Sequence, residues 1–170
     1  MTTRIEQDSF EDIVNPIDSV EEVLSSNNWV FNRMNDDELM VQVQGRACEY
    51  RLYFIWQEDM NALQFCCQLE TPVARDNYEN AARSILSMNE KLWMGHFDLP
   101  QESLIPSFRH TCLLHGVSRC ASSEQIQDLV QISLAQCERY APLFSMLADN
   151  GNAIDEQNLQ LALMESAGHS

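Results

Sequence analysis

At 170 residues the chain is long enough for one compact domain and too short for two independent cores. A formal net charge of -16, from 26 acidic and 10 basic side chains, replaces attraction to phosphate backbones and anionic lipid with repulsion. No cluster of basic residues interrupts that total, so neither nucleic acid nor a bare membrane is an expected partner.

Hydrophobic residues make up 45% of the chain, enough to offset the entropy of ordering a single core. The start Met1-Thr2-Thr3-Arg4-Ile5-Glu6 lacks a cationic segment followed by an apolar run. No later stretch reaches the roughly 18 apolar residues of a membrane span, and a cytoplasmic location is expected. The cysteines, at positions 48, 66, 67, 112, 120 and 137, mostly fall inside apolar strand or helix patterns and read as reduced thiols.

Residues 1–15 carry Glu6, Asp8, Glu11 and Asp12 without a period and read as an acidic arm ahead of a single domain over 16–149. Ser19 with Glu22 three positions on suggests a capping box, with Val20, Val23 and Leu24 as the apolar stripe of a first short helix. From Trp29 to Leu69 the period becomes two. Leu39, Val41 and Val43, then Tyr50, Leu52, Phe54 and Trp56, then Leu63, Phe65, Cys67 and Leu69 each form an apolar face. Turn signals at Asn35-Asp36-Asp37, Gln44-Gly45-Arg46 and Glu58-Asp59-Met60-Asn61 separate the runs, which predicts a four-stranded antiparallel meander.

Beyond Pro72, the stripe Tyr78, Ala81, Ala82, Ile85, Asn89, Leu92 and Trp93 predicts a helix of nearly five turns that stops at Gly95. Residues 96–99 and 105–114 read as two further strands. Ser122 with Gln125 opens a long helix carrying Ile126, Leu129, Val130, Cys137, Tyr140 and Phe144, in which Pro142 is expected to force a kink or an early end. Residues 150–170 are acidic and read as a flexible tail, weakly helical or disordered.

The order α-β-β-β-β-α-β-β-α puts helices on one face of an antiparallel sheet, the α+β class. Thr71-Pro72-Val73-Ala74-Arg75, a helix carrying Asn89, then Gly95-His96-Phe97 and a strand containing Arg109 resemble the core of the bacterial YbjN-like family over roughly residues 16–148. The resemblance implies a sensory-transduction regulator, without catalysis, on a fold similar to that of type III secretion chaperones. Those chaperones are small, acidic, commonly dimeric proteins that bind extended client segments. Fold alone does not carry that activity across, and the acidic arm and long tail depart from the family's pattern.

Several constellations invite a chemical reading. In a strand, His110 and Cys112 of His110-Thr111-Cys112-Leu113-Leu114-His115 point the same way, as a metal pair or thiolate pair would. The remaining ligands of a metal site are missing, and a strand with a buried cysteine and half-exposed histidines is the ordinary alternative. No metal and no cofactor are expected. Cys66 and Cys67 face opposite sides of their strand and do not pair with each other. Asp36-Asp37-Glu38 and Glu58-Asp59 fall in turns, as solvated charges do, and no phosphate cradle, nucleophile elbow or His-Glu-x-x-His helix is present, so no catalytic residue is assigned. Asn89 on the apolar stripe and Arg109 are candidate ligand contacts, or else structural partners for backbone and carboxylate.

The second face of the sheet is the stronger candidate. Met40, Tyr53, Ile55 and Cys66 interleave there with Gln42, Gln64 and Gln68, a mixed apolar and amide surface of the kind found at the centre of interfaces. It is expected to bind a protein partner, a client with basic segments or a second copy, unless the chain termini fold over it. A small-molecule or metal-responsive sensor, with His110, Cys112 or Asn89 in a pocket between helices and sheet, is the alternative.

Overall fold

The computed structural model describes residues 15–114, 122–150 and 154–167. The acidic arm up to residue 14, His115, Cys120 and Gly151 lie outside the described residues.

Helix α1 (Pro16–Ser26) starts earlier than its expected cap at Ser19. Asn15 caps it instead, its side chain accepting from the backbone N–H of Ile17 at 2.9 Å, with Pro16 in the first turn where no donor is required. The meander follows as β1 (Phe31–Asn35), β2 (Glu38–Gln44), β3 (Glu49–Gln57) and β4 (Ala62–Leu69). Helix α2 (Tyr78–Asn89), β5 (His96–Asp98), β6 (Ser107–Leu113), α3 (Ser123–Ala148) and α4 (Glu156–Ala167) complete the chain. The fold is α+β. Six antiparallel strands lie in the order β1-β2-β3-β4-β6-β5, with the helices on one face.

Register explains why the two faces differ. Val41, Leu52, Cys67, Phe108 and Phe97 align across five strands and are all buried, whereas the adjacent row is Met40, Tyr53, Cys66, Arg109 and His96. A strand's side chains alternate, so one residue step separates core from exterior. Helix α3 covers the inner row. Phe97 meets Phe108, Tyr140 and Phe144 edge-on or tilted at 5.5, 5.5 and 5.8 Å, and Cys137 places its sulfur 3.6 Å from that of Cys67.

The N-terminus of α3 carries the expected capping box between Ser122 and Gln125. Its C-terminus is held from elsewhere. Buried Asn77 donates to the carbonyls of Leu147 (3.0 Å) and Asp149 (3.2 Å), and the Ala74 N–H also reaches Leu147. These bonds satisfy carbonyls that a helix end otherwise leaves unpaired.

Two further expectations are corrected. Helix α2 stops at Asn89, and Trp93, placed on its apolar stripe by periodicity, is 78% exposed. Gly95 therefore does not end the helix. It turns the chain into β5 at φ 67°, where a side chain's Cβ would stand 2.8 Å from the Arg109 carbonyl. Pro142 lies inside α3, which runs on to Ala148. The tail, read as weakly helical or disordered, is helical over Glu156–Ala167 (α4), and its Leu159 is buried in the common core.

Candidate protein-binding face and adjoining pocket

Among the described residues nothing covers the outer face of the sheet. Met40, Tyr53, Ile55, Gln64 and Cys66 are each half-buried by their strand neighbours alone, and Gln42 is exposed toward the far end. Ile55 stands between Glu38 on β2 and Gln64 on β4; Tyr53 stands between Met40 and Cys66. The seven residues expected to share this face, Gln68 included, do share it.

Toward β6 and β5 the face hollows into a groove of about 400 Å³, lined among others by Tyr53, Ile55, Cys66, Arg109 and Thr111. Arg109 Nε sits 3.2 Å from Asp98 Oδ2, both side chains roughly half exposed, so the pair neutralises itself and leaves the groove with little net charge. Burial pushes the Cys66 thiol up, against the opposing pull of Arg109, and keeps it protonated at neutral pH. His96, Asp98 and Thr111 also line the groove and were not singled out in the sequence. The alternation of β6 holds the signal for Thr111, since Arg109 and Thr111 fall on the Cys66 side once β6 is paired with β4.

The four candidate ligand contacts do not converge. Asn89 is spent on the fold: its Nδ2 donates to the Phe97 carbonyl (3.1 Å) and its Oδ1 accepts the Phe97 N–H (2.7 Å), pinning the end of α2 to β5. Arg109 belongs to the outer groove. Cys112, and His110 which also borders the outer groove, line a second hollow of about 310 Å³ between β6 and the first half of α3, with Leu63, Met94, Ile126 and Leu129. Burial, reinforced by the charge of His96, holds the His110 imidazole below its ordinary value, and burial raises the Cys112 thiol. Both are therefore neutral near pH 7, two uncharged polar groups in an apolar wall. No group of three or more His, Cys, Asp or Glu side chains among the described residues is arranged to hold a metal ion. Leu63, Ile126 and Leu129 of the pocket's lining were legible as core; Trp93 and Met94 fell within the expected helix.

Sequence and structure comparisons agree on the relationship. The profile of the YbjN family, described as "Putative bacterial sensory transduction regulator", matches residues 16–146. The fold is similar to the crystal structure of YbjN from E. coli, described as "a putative transcription regulator", with a TM-score of 0.55 at 13% identity, covering 78% of this chain and 92% of that one. Comparison with curated proteins found no match.

Proposed function

We propose, proceeding from the fact that this chain belongs to the YbjN family, that it is a regulator that works without catalysis, by binding another protein through the outer face of its sheet. The observation that carries this reading is the row Met40–Tyr53–Cys66 with Ile55 and Gln64 beside it: an apolar and amide centre, bordered by Glu38, by Arg51 paired with Glu70 and by Arg109 paired with Asp98, that the described helices leave open by packing on the opposite face. A surface that needs only solubility is ordinarily rich in charge, whereas interface centres are depleted of it. The acidic total favours a partner with Lys- or Arg-rich segments and repels nucleic acid, so regulation would pass through a protein contact.

Ile55→Arg tests the reading. The new guanidinium stands beside Glu38 in a half-exposed position, so the fold tolerates it while a charge enters the centre of the face. Crosslinking capture from the native host lysate is expected to recover a small set of proteins with the native chain and to lose them with the variant. Sedimentation of the two purified proteins identifies a second copy as the occupant if only the native one associates. Capture and association unchanged by Ile55→Arg remove the proposal.

A second reading has one observation in its favour, the 310 Å³ hollow holding His110 and Cys112. A small apolar ligand with one polar group fits its lining, which makes the protein a ligand sensor. A ligand found by mass spectrometry of the untagged, native protein and lost in Cys112→Phe supports that reading.

A further inference from the structure

Strand β6 is longer than the neighbour that covers it. Ser107, Phe108 and Arg109 pair with β5, but from His110 to Leu113 no strand among the described residues pairs with its outer edge. An unpaired edge is a template for another chain, and folded proteins usually blunt it with charge, proline or a bulge. The opposite edge of the sheet is blunted in this way: β1 has an irregular register between Arg33 and Asn35, and Arg33 is tied to Asp18 and Glu21 of α1 at 2.8 Å each. His110-Thr111-Cys112-Leu113 carries none of these devices.

The two hollows flank this free stretch. Cys112 lines the inner pocket, Arg109 and Thr111 line the outer groove, and His110 borders both. A chain laid along the edge would send alternate side chains into one hollow and the other. Trp93, 78% exposed, and Leu113, 66% exposed, stand beside it as apolar anchors of the type that dominates binding energy. The inner hollow also carries a carboxylate, Asp128, whereas Asp98 in the outer one is paired with Arg109.

The geometry points to strand addition: an extended segment of a partner protein, alternating apolar and small polar residues and flanked by Lys or Arg, pairs with the edge of β6 from His110 to Leu113. Main-chain hydrogen bonds hold such a segment and the hollows read its side chains. The inference rests on the protein-binding reading above and narrows it to one edge and one conformation of the partner.

The test uses the full chain and a fluorescent peptide, Lys-Lys-Val-Thr-Val-Thr-Val-Thr-Lys, alongside the same peptide N-methylated at alternate residues. Methylation removes backbone donors but leaves charge and side chains, so electrostatic or merely greasy association does not distinguish the two. The expected result is saturable binding by the first peptide, weakened at least about tenfold by methylation and by Trp93→Ala, with slowed amide exchange at residues 110–113. Equal binding of both peptides, no binding, or protection along β1 overturns the inference. So does a Trp93-dependent dimer that excludes the peptide, which makes a second copy the occupant. Loss of lysate capture in Ile55→Arg but not in Trp93→Ala leaves the protein-binding reading standing and rejects the edge.

Discussion

Asn89 and His110 show how a single side chain divides between fold and function. Each looked chemically active in the sequence, an amide on an apolar stripe and an imidazole two residues from a thiol. Asn89 meets both backbone groups of Phe97, so Asn89→Ala removes two bonds in a half-buried site and is expected to cost about 1–3 kcal/mol in urea denaturation. A variant as stable as the native protein would free Asn89 for a ligand role. For His110 the sign follows from its depressed affinity for protons. Unfolded, the imidazole takes up a proton near pH 6.5; folded, it does so at lower pH. Between those values the unfolded state holds more protons, so this contribution to stability is complete above about pH 6.5 and is lost as the pH falls toward the folded value. The denaturation midpoint of His110→Gln should therefore fall less than that of the native protein between about pH 7 and about pH 5. Parallel pH dependences would place His110 in water instead. Asn77 marks the reverse case: nothing in its local pattern announced it, because its partners, Leu147 and Asp149, lie far along the chain.

At the level of elements, strands were more legible than helix ends. The meander is written in period-two runs separated by turn residues, and both signals are local. Helix α2 misled because Leu92 and Trp93 continue the three- and four-residue spacing past Asn89, where the amide's bonds to β5 stop the helix, a tertiary cause with no local mark. Pro142 misled in the other direction. Its missing donor weakens α3, yet Ala141, Leu143 and Phe144 around it are buried, and that burial outweighs a local penalty of about 3 kcal/mol. Pro142→Ala should accordingly raise the stability of the protein, by up to about 3 kcal/mol in thermal or urea unfolding. A decrease would mean that the proline sets the path that brings Phe144 to within 5.8 Å of Phe97. The free edge of β6 was not legible at all, since it depends on how many residues of β6 the short β5 covers.

For the whole molecule, the described residues cover one face of the sheet and leave the other open, and the alternation that separates them was readable in Leu52 against Tyr53 and Cys67 against Cys66. What the sequence left undecided was whether the chain's ends return over the open face. Among the described residues they do not, and α4 instead buries Leu159 on the helical side. Charge acts at the same scale: a net -16 would repel phosphate and favour the proposed basic segment, while the centre of the outer face, around Met40, Tyr53, Ile55 and Gln64, is apolar and amide. None of the described helices is long and apolar enough to cross a membrane.

The most direct measurement is crosslinking capture from the native lysate with the native protein and Ile55→Arg side by side, after circular dichroism and thermal unfolding have shown the variant folded. Captured proteins are expected to disappear with the variant, and crosslinks to map to β2, β3 and β4 around Met40, Tyr53 and Gln64. An identical catch from both proteins, or crosslinks confined to the helical side, would contradict binding through the outer face.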